Sequence, residues 1–204
     1  MTDRAKAYHH GALRAALLDE AAAMLAEGGV ASVTMRALGQ RLGVSRAAPY
    51  RHFSDKAELL VAVAAAGFRR LGDNLQALDV SHLRSSDEQF WHMAEVYVRF
   101  ALENPAHYRL MYGKEGPSRR DRPELREAGN ALFDQLVHLI EFYQRSGEII
   151  QEDPLAQAYV AWSAVHGLAS LLIEGQIIDE VDVEALIRQT TQTVLAGMRP
   201  REPR

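Results

Sequence analysis

Residues Val33 to Leu60 read VTMRALGQRLGVSRAAPYRHFSDKAELL, and the punctuation of this stretch decides the fold. Thr34 is placed to cap a short helix that runs to Leu42, with Met35, Leu38 and Leu42 facing inward and Gly43 ending it. Gly43 permits a left-handed turn, Val44 can plug a small core, and Ser45 can cap a second short helix. Asp55 with Glu58 three residues on forms a capping box that opens a longer helix through Phe68 to about Leu75. Two short helices across a tight turn, followed at once by a third, make a helix-turn-helix. In that arrangement the first helix braces on the DNA backbone and the second lays its N-terminal residues along base edges.

The side chains in this stretch suit that task. Thr34 and Arg36 begin the supporting helix, where backbone N–H groups and a guanidinium can hold phosphates. Ser45, Arg46, Ala47 and Ala48 form the exposed first turn of the recognition helix, and Arg46 is the candidate for a bidentate contact to guanine, worth about 1–3 kcal/mol of discrimination. Ala47 and Ala48 allow close approach to a thymine methyl. Tyr50, Arg51, His52 and Lys56 would meet phosphates or the groove wall. Pro49 sits near the helix start, where losing one N–H costs least. A helical hairpin with a solvated basic face is the alternative reading of the same residues.

Working outward, 204 residues with 48% apolar and 25% charged content describe an ordinary globular chain. There are no cysteines, which excludes disulfides and thiolate metal sites and makes a cytoplasmic location natural. Apolar runs such as Leu59 to Phe68 are too short to span a bilayer and no signal-peptide pattern is visible, so no membrane partner is expected. The net charge of −4 hides a split. Residues 1–70 hold ten Lys/Arg against six Asp/Glu, a net of +4, while residues 71–204 hold thirteen against twenty-one, a net of −8. A basic head on an acidic body keeps attraction to phosphate local.

Helical spacing dominates and strand signals are scarce, so the fold class is all-α. Leu13, Leu17, Ala21 and Met24/Leu25 form an apolar stripe stopped by Gly28-Gly29. Past the polar stretch Asp79 to Asp87, helices are expected from about Phe90 to Asn104, over Pro105–Tyr112, and at roughly Glu124–Ser146, Pro154–Glu174 and Asp182–Met198. The loop Lys114–Pro123 interrupts them, and the tail Pro200–Arg204 should fray.

A family resemblance rests on particular residues. Thr34-x-Arg36, Leu42-Gly43-Val44-Ser45, Tyr50-x-His52-Phe53 and Lys56-x-x-Leu59-Leu60, preceded by Tyr8-His9-His10-Gly11-x-Leu13-Arg14, resemble the DNA-binding head of the TetR family of bacterial transcriptional repressors. Trp162-x-x-Val165-His166-Gly167, with Asn104-Pro105-x-x-Tyr108-x-x-Met111 upstream, resembles the C-terminal subclass of that family marked by a Trp…His-Gly motif. The resemblance implies a helix-turn-helix head over residues 1–70 and a ligand-binding and dimerisation domain over 71–204. It also implies a homodimer reading a palindromic double-stranded DNA operator and released by a small-molecule effector. Gly39 and Pro49 depart from the family pattern, which has Ala and Leu there.

In the body, Met93, Tyr97, Tyr108, Met111, Phe133, Trp162 and His166 bring apolar surface with a few polar tips. Such a lining suits an apolar or aromatic effector, although aromatics at helical spacing also simply fill cores. Trp162 and His166 lie four apart on one helix face, and a buried His166 needs a hydrogen-bond partner. Ala158, Ala161, Val165, Leu168 and Leu172, with Val183, Leu186, Ile187, Thr190 and Val194, suit a homodimer interface through the last two helices or an intramolecular core.

The eight histidines contain no HxxxH or HExxH pair, so no metal is assigned, although His92, His107, His138 and His166 could converge on the body. No cofactor is expected. Nucleophile elbows, phosphate-binding glycine loops and marked acid–base pairs are lacking, so the chain is not read as an enzyme. The alternatives kept open are a ligand-independent architectural DNA-binding protein and, more remotely, a helical enzyme or small-molecule carrier.

Overall fold

The computed structural model describes residues 2–78, 85–114, 116–177 and 180–200, with side chains from residue 12 onward. The side chains of Tyr8, His9 and His10, residues 79–84 with His82, and the tail 201–204 lie outside the described residues. Among the described residues every regular element is helical. They are α1 (Thr2–Ser32), α2 (Met35–Arg41), a single 3-10 turn (Pro49–Arg51), α3 (Lys56–Gln76), α4 (Ser86–Glu103), α5 (Pro105–Tyr112), α6 (Pro123–Ser146), α7 (Pro154–Ile173) and α8 (Val183–Met198).

The helix ends have local causes. Thr34 accepts the Ala37 N–H at 3.2 Å and so caps α2. The Glu58 N–H donates to Asp55 Oδ1 at 2.8 Å, while the Glu58 carboxylate reaches back to the Ser54 N–H at 2.6 Å, so the capping box closes one residue earlier than its usual form. Asp153 and Asp182 cap α7 and α8 through Leu155 N–H and Ala185 N–H. The Gly28-Gly29 pair breaks α1 as its sequence implies, with Gly29 at φ +67°; Ser32 Oγ then donates to Met24 O and Gly29 O, using carbonyls the break leaves over.

The chain divides into two compact units, one of residues 1–68 with 104–128, the other of 69–103 with 129–204. In the first unit α1 packs on α2 and on α5. Leu17, Leu25, Leu38, Phe53, Leu59 and Phe68 are fully buried, each stabilising by about 1.5–3 kcal/mol relative to exposure. α3 and α5 approach closely at Gly67, where a Cβ would meet Met111 Sδ at 2.7 Å and His107 at 2.8 Å. The His107 ring holds the Val63 carbonyl through Nε2 at 2.8 Å, and Phe68 meets Tyr112 edge-on at 5.0 Å.

In the second unit α4, α7 and α8 pack mutually. Phe90, Ile140, Tyr143, Ile149, Ala158, Ala161, Leu195 and Met198 form a continuous core, and the Ile150 N–H donates to Met198 O at 2.8 Å. Buried Gln144 and Gln157 satisfy each other at 2.9 Å. Of the faces open to either an interface or a core, Ala158, Ala161, Leu168 and Ile187 are buried within the protomer, because the small residues let α7 sit close to its neighbours. The outward face of α7 instead carries Leu155, Tyr159, Val160 and Leu171.

Gly39 lies inside α2, and a Cβ there would come no nearer than 3.4 Å to Pro49 Cγ, an ordinary contact. Gly39→Ala is therefore expected to raise stability towards chemical denaturation by up to about 1 kcal/mol through helix propensity alone. An unchanged or lowered denaturation midpoint would show that the Pro49 ring needs the space.

Candidate functional site

The exposed stretch after α2 is built by three constraints. Gly43 takes φ +64°, turning the chain, and the Val44 N–H returns to Gly39 O at 2.9 Å. Pro49 has no N–H, so the segment cannot close an α-helical ladder through it. It tightens instead, with Ala48 N–H to Ser45 O at 2.9 Å, Arg51 N–H to Ala48 O at 3.2 Å and His52 N–H to Pro49 O at 3.0 Å. The second helix of the sequence reading is thus a turn over Arg46–Ala48 followed by a 3-10 turn, not an α-helix capped by Ser45.

Thr34, Arg36, Ser45, Arg46, Ala47, Tyr50 and Arg51 are exposed as expected of a reading surface. Ala48 is not: at 8% exposure it belongs to the core, because the tight turn rolls its methyl inward. His52 and Lys56 are half-buried. Lys56 donates from Nζ to the Val30 carbonyl at 2.6 Å, joining the start of α3 to the end of α1, so its ammonium already has an internal acceptor.

Arg41 had no assigned role in the sequence, yet it fixes the supporting helix. It makes a fork with the Glu27 carboxylate at 2.7 and 2.8 Å and meets Glu20 at 2.5 Å. The hydrogen bond from Arg41 holds Glu27 below the usual carboxylate range. The hydrogen bonds from Ser54 do the same for Glu58 at the start of α3. Arg14 lies over the buried Phe53 ring at 5.1 Å. What remains on the surface is a short rigid stretch with Arg36, Arg46 and Arg51 outward, suited to phosphate and base-edge contacts.

A second group lies in the other unit. Trp162 Nε1 donates to Tyr97 Oη at 3.1 Å, and Tyr97 Oη is 3.0 Å from His166 Nδ1. Phe133 stands 5.9 Å from the Trp162 ring and 4.7 Å from Tyr159, an aromatic the sequence reading left out although it precedes Trp162 by three residues. Tyr97 is buried, while Phe133, Trp162 and His166 are half-buried and Tyr159 is exposed, so the group opens towards one side. Burial pushes the His166 pKa below its ordinary value, favouring the neutral ring.

Met93 is half-buried in this same unit, whereas Tyr108 and Met111 are buried in the first unit on α5. The four body histidines do not share a centre. His92 faces Glu95 with its ring tilted against Trp91, His107 holds Val63 O, His138 is exposed on α6, and His166 faces Tyr97. Among the described residues no three His, Asp or Glu side chains are grouped to hold a metal ion.

Comparison with known proteins follows the same division. Residues 17–63 match the model of bacterial regulatory proteins of the tetR family, and residues 90–194 match that of the tetracyclin repressor-like C-terminal domain. The HTH-type transcriptional regulator YobS of Bacillus subtilis is 24% identical over 89% of this chain and 90% of its own length. Rv0681 of Mycobacterium tuberculosis, an HTH-type transcriptional regulator, is 27% identical over 92% of this chain and 82% of its own. A solved structure of a Rhodococcus protein superposes with a TM-score of 0.83 at 34% identity, covering 95% of this chain and 98% of that one. The Bacillus subtilis regulator FadR, solved with stearoyl-CoA, shares the fold with a TM-score of 0.74 at 14% identity, over 90% and 98% of the two chains.

Two outcomes follow from the Tyr97 group. Tyr97→Phe removes the acceptor of Trp162 and the partner of His166 Nδ1, and should lower stability to urea by about 1–2 kcal/mol. A second concerns pH. A folded-state pKa of His166 lowered by burial means the unfolded chain binds the proton more readily, so this contribution to stability is full above the ordinary value of about 6.5 and is lost as pH falls through it. His166→Gln should therefore flatten the loss of thermal stability between neutral and mildly acid pH; an unchanged pH profile would contradict the assignment.

Proposed function

Because the chain belongs to the TetR family of bacterial regulatory proteins, we propose that it is a one-component repressor in which residues 1–70 read DNA and residues 71–204 dimerise and bind an effector. It is a DNA-binding transcriptional regulator and not an enzyme. The observation that carries the reading is the braced turn after α2. Its exposed Arg46, Tyr50 and Arg51 stand on a segment fixed by Gly43 and Pro49, and the exposed Thr34 and Arg36 flank it at the start of α2. Arg46 reads a base edge, the other side chains hold phosphates, and Lys56, whose bond to Val30 O positions the head, keeps further N–H donors for a phosphate. The protein works in the cytoplasm, where its operator is.

The homodimer forms through the last two helices. α7 is long and apolar enough to cross a membrane by composition. Its inner face nonetheless carries the buried, hydrogen-bonded Gln157, which fits a packed bundle. Leu155, Tyr159, Val160 and Leu171 on its outer face, beside the small Ala196 and Gly197 exposed on α8, give a second copy an apolar surface to cover. A two-fold dimer then presents two heads about 34–36 Å apart to a palindromic operator.

The effector binds at Phe133, Trp162 and His166, with Met93 and Tyr97 beside them, and is apolar or aromatic. Tyr108 and Met111, first grouped with this lining, serve the packing of α5 on α3 instead. Release of DNA follows when the effector binds one body conformation more tightly than the operator-bound one.

Arg46→Ala is expected to relax preference at one base position by about 1–3 kcal/mol while leaving non-specific binding nearly intact. Gel-shift titrations against single-base operator variants measure this. An unchanged ranking of the variants would remove Arg46 as the base reader.

A further inference from the structure

Resting on the reading of the turn after α2 as the base reader, we infer that Arg41, which stands outside that turn, is a positioning residue for its sequence discrimination: it fixes the angle at which α2 presents Arg46, and does so without holding the duplex. Only Val33 and Thr34 separate the first residue of α2 from the end of α1, so that end is tethered by the chain and by the Thr34 cap. The reading turn leaves from the far end, through Gly43, so any rocking of α2 about its start is passed on to the turn. Seven residues make α2 about 10 Å long, and a tilt of about 10° moves its far end by roughly 2 Å. A contact to a base edge tolerates about 0.5 Å. Met35, Leu38 and Gly39 bury the inner face of α2, but apolar contact has no preferred direction and does not oppose such a tilt strongly.

A planar fork does oppose it. Arg41 Nη1 and Nη2 donate to the two Glu27 oxygens at 2.7 and 2.8 Å, and Nε lies 2.5 Å from Glu20 Oε1, so two edges of the guanidinium are held by carboxylates two helical turns apart on α1. The place it grips is itself fixed. Glu27 is the last residue before the break in α1, where Gly29 takes φ +67° and ψ −171°, a conformation essentially confined to glycine. Beyond the break, Ser32 Oγ donates back to Met24 O and Lys56 Nζ donates to Val30 O, both at 2.6 Å. Charge argues against a phosphate contact by Arg41. Its one positive charge faces two carboxylates, and its hydrogen bond keeps Glu27 below the usual carboxylate range. The trio has no surplus positive charge to offer a duplex. Arg41 and Glu27 are exposed, and exposed ion pairs add little stability, so what the fork contributes is direction.

The test titrates the full-length protein, across a salt series, with its operator selected from a pool of random duplexes and with a scrambled duplex of equal length. Arg41→Gln and Arg41→Lys should each lower the operator-to-scrambled affinity ratio at least about tenfold. The lysine variant keeps the charge and loses the fork, which separates geometry from charge. The loss should spread over every discriminating base pair instead of falling at the one read by Arg46, while affinity for the scrambled duplex and its salt dependence stay as in the wild type. Arg41→Glu with Glu27→Arg, made together with Glu20→Gln to remove a like charge, restores a fork and should recover much of the ratio. An unchanged ratio in Arg41→Gln overturns the inference. So does an equal loss on both duplexes with a shallower salt dependence, which marks a direct phosphate contact. Where Arg41→Gln loses its melting transition, the reversed pair decides: recovered discrimination supports positioning, and folding recovered without discrimination overturns it. If the wild type shows no preference between the duplexes, the base-reading assignment itself is wrong and the inference falls with it.

Discussion

The ring of Pro49 lies over the open face of Gly39, and the shape of the reading turn depends on that packing. A recognition segment must present side chains at a fixed angle to its supporting helix, and most such segments do so as a helix with its own hydrogen-bond ladder. Here Pro49 removes a donor from the ladder, so the segment is held by short-range turns, by Gly43 at φ +64° and by contact with α2. Because α2 supplies the support, its own attachment matters more. The Arg41 fork to Glu27 and Glu20, and the Lys56 bond to Val30 O, tie the ends of the motif to α1. The surface ion pairs add little energy in water, but they fix geometry, which is what the head requires.

The second unit solves a different problem, that of placing polar atoms in an apolar bundle. Trp162 donates to Tyr97 and Tyr97 is bonded to His166, a chain that makes burial of these polar atoms tolerable. The same bonds join Tyr97 on α4 to Trp162 and His166 on α7, and so order the side chains of the proposed effector site. On the outer side of α7, apolar residues are left for a partner copy in the proposed dimer. Tyr159 stands on that exposed face and against Phe133 at once, so in the proposed dimer one residue links the partner's surface to the effector group, as ligand binding that alters how two heads are held requires.

Much of this was legible because local chemistry dictated it. Thr34, Asp55 with Glu58, Asp182 and the Gly28-Gly29 pair mark ends that depend on neighbours two to four residues away. The Trp162 and His166 pairing followed from their four-residue spacing. Contacts between distant segments were not legible. Nothing around Lys56 signals that Val30, twenty-six residues earlier, offers its carbonyl, and Arg41 reads as any surface arginine until Glu20 and Glu27 come beside it. Ala48 was placed on the wrong side because a helical period was assumed where proline forces a tighter one. Tyr108 and Met111 suit a ligand and a core equally well by residue type; both are buried in the first unit, and Met111 lies close to Gly67.

The central claim is a symmetric reader, two braced turns held at the spacing of one helical turn of DNA. Hydroxyl-radical footprinting of the full-length protein on the DNA just upstream of its own coding region tests it most directly. Two protected half-sites of inverted sequence, centred about ten base pairs apart or a multiple of that, are the predicted result. A single protected patch, or even protection without half-site symmetry, would contradict it.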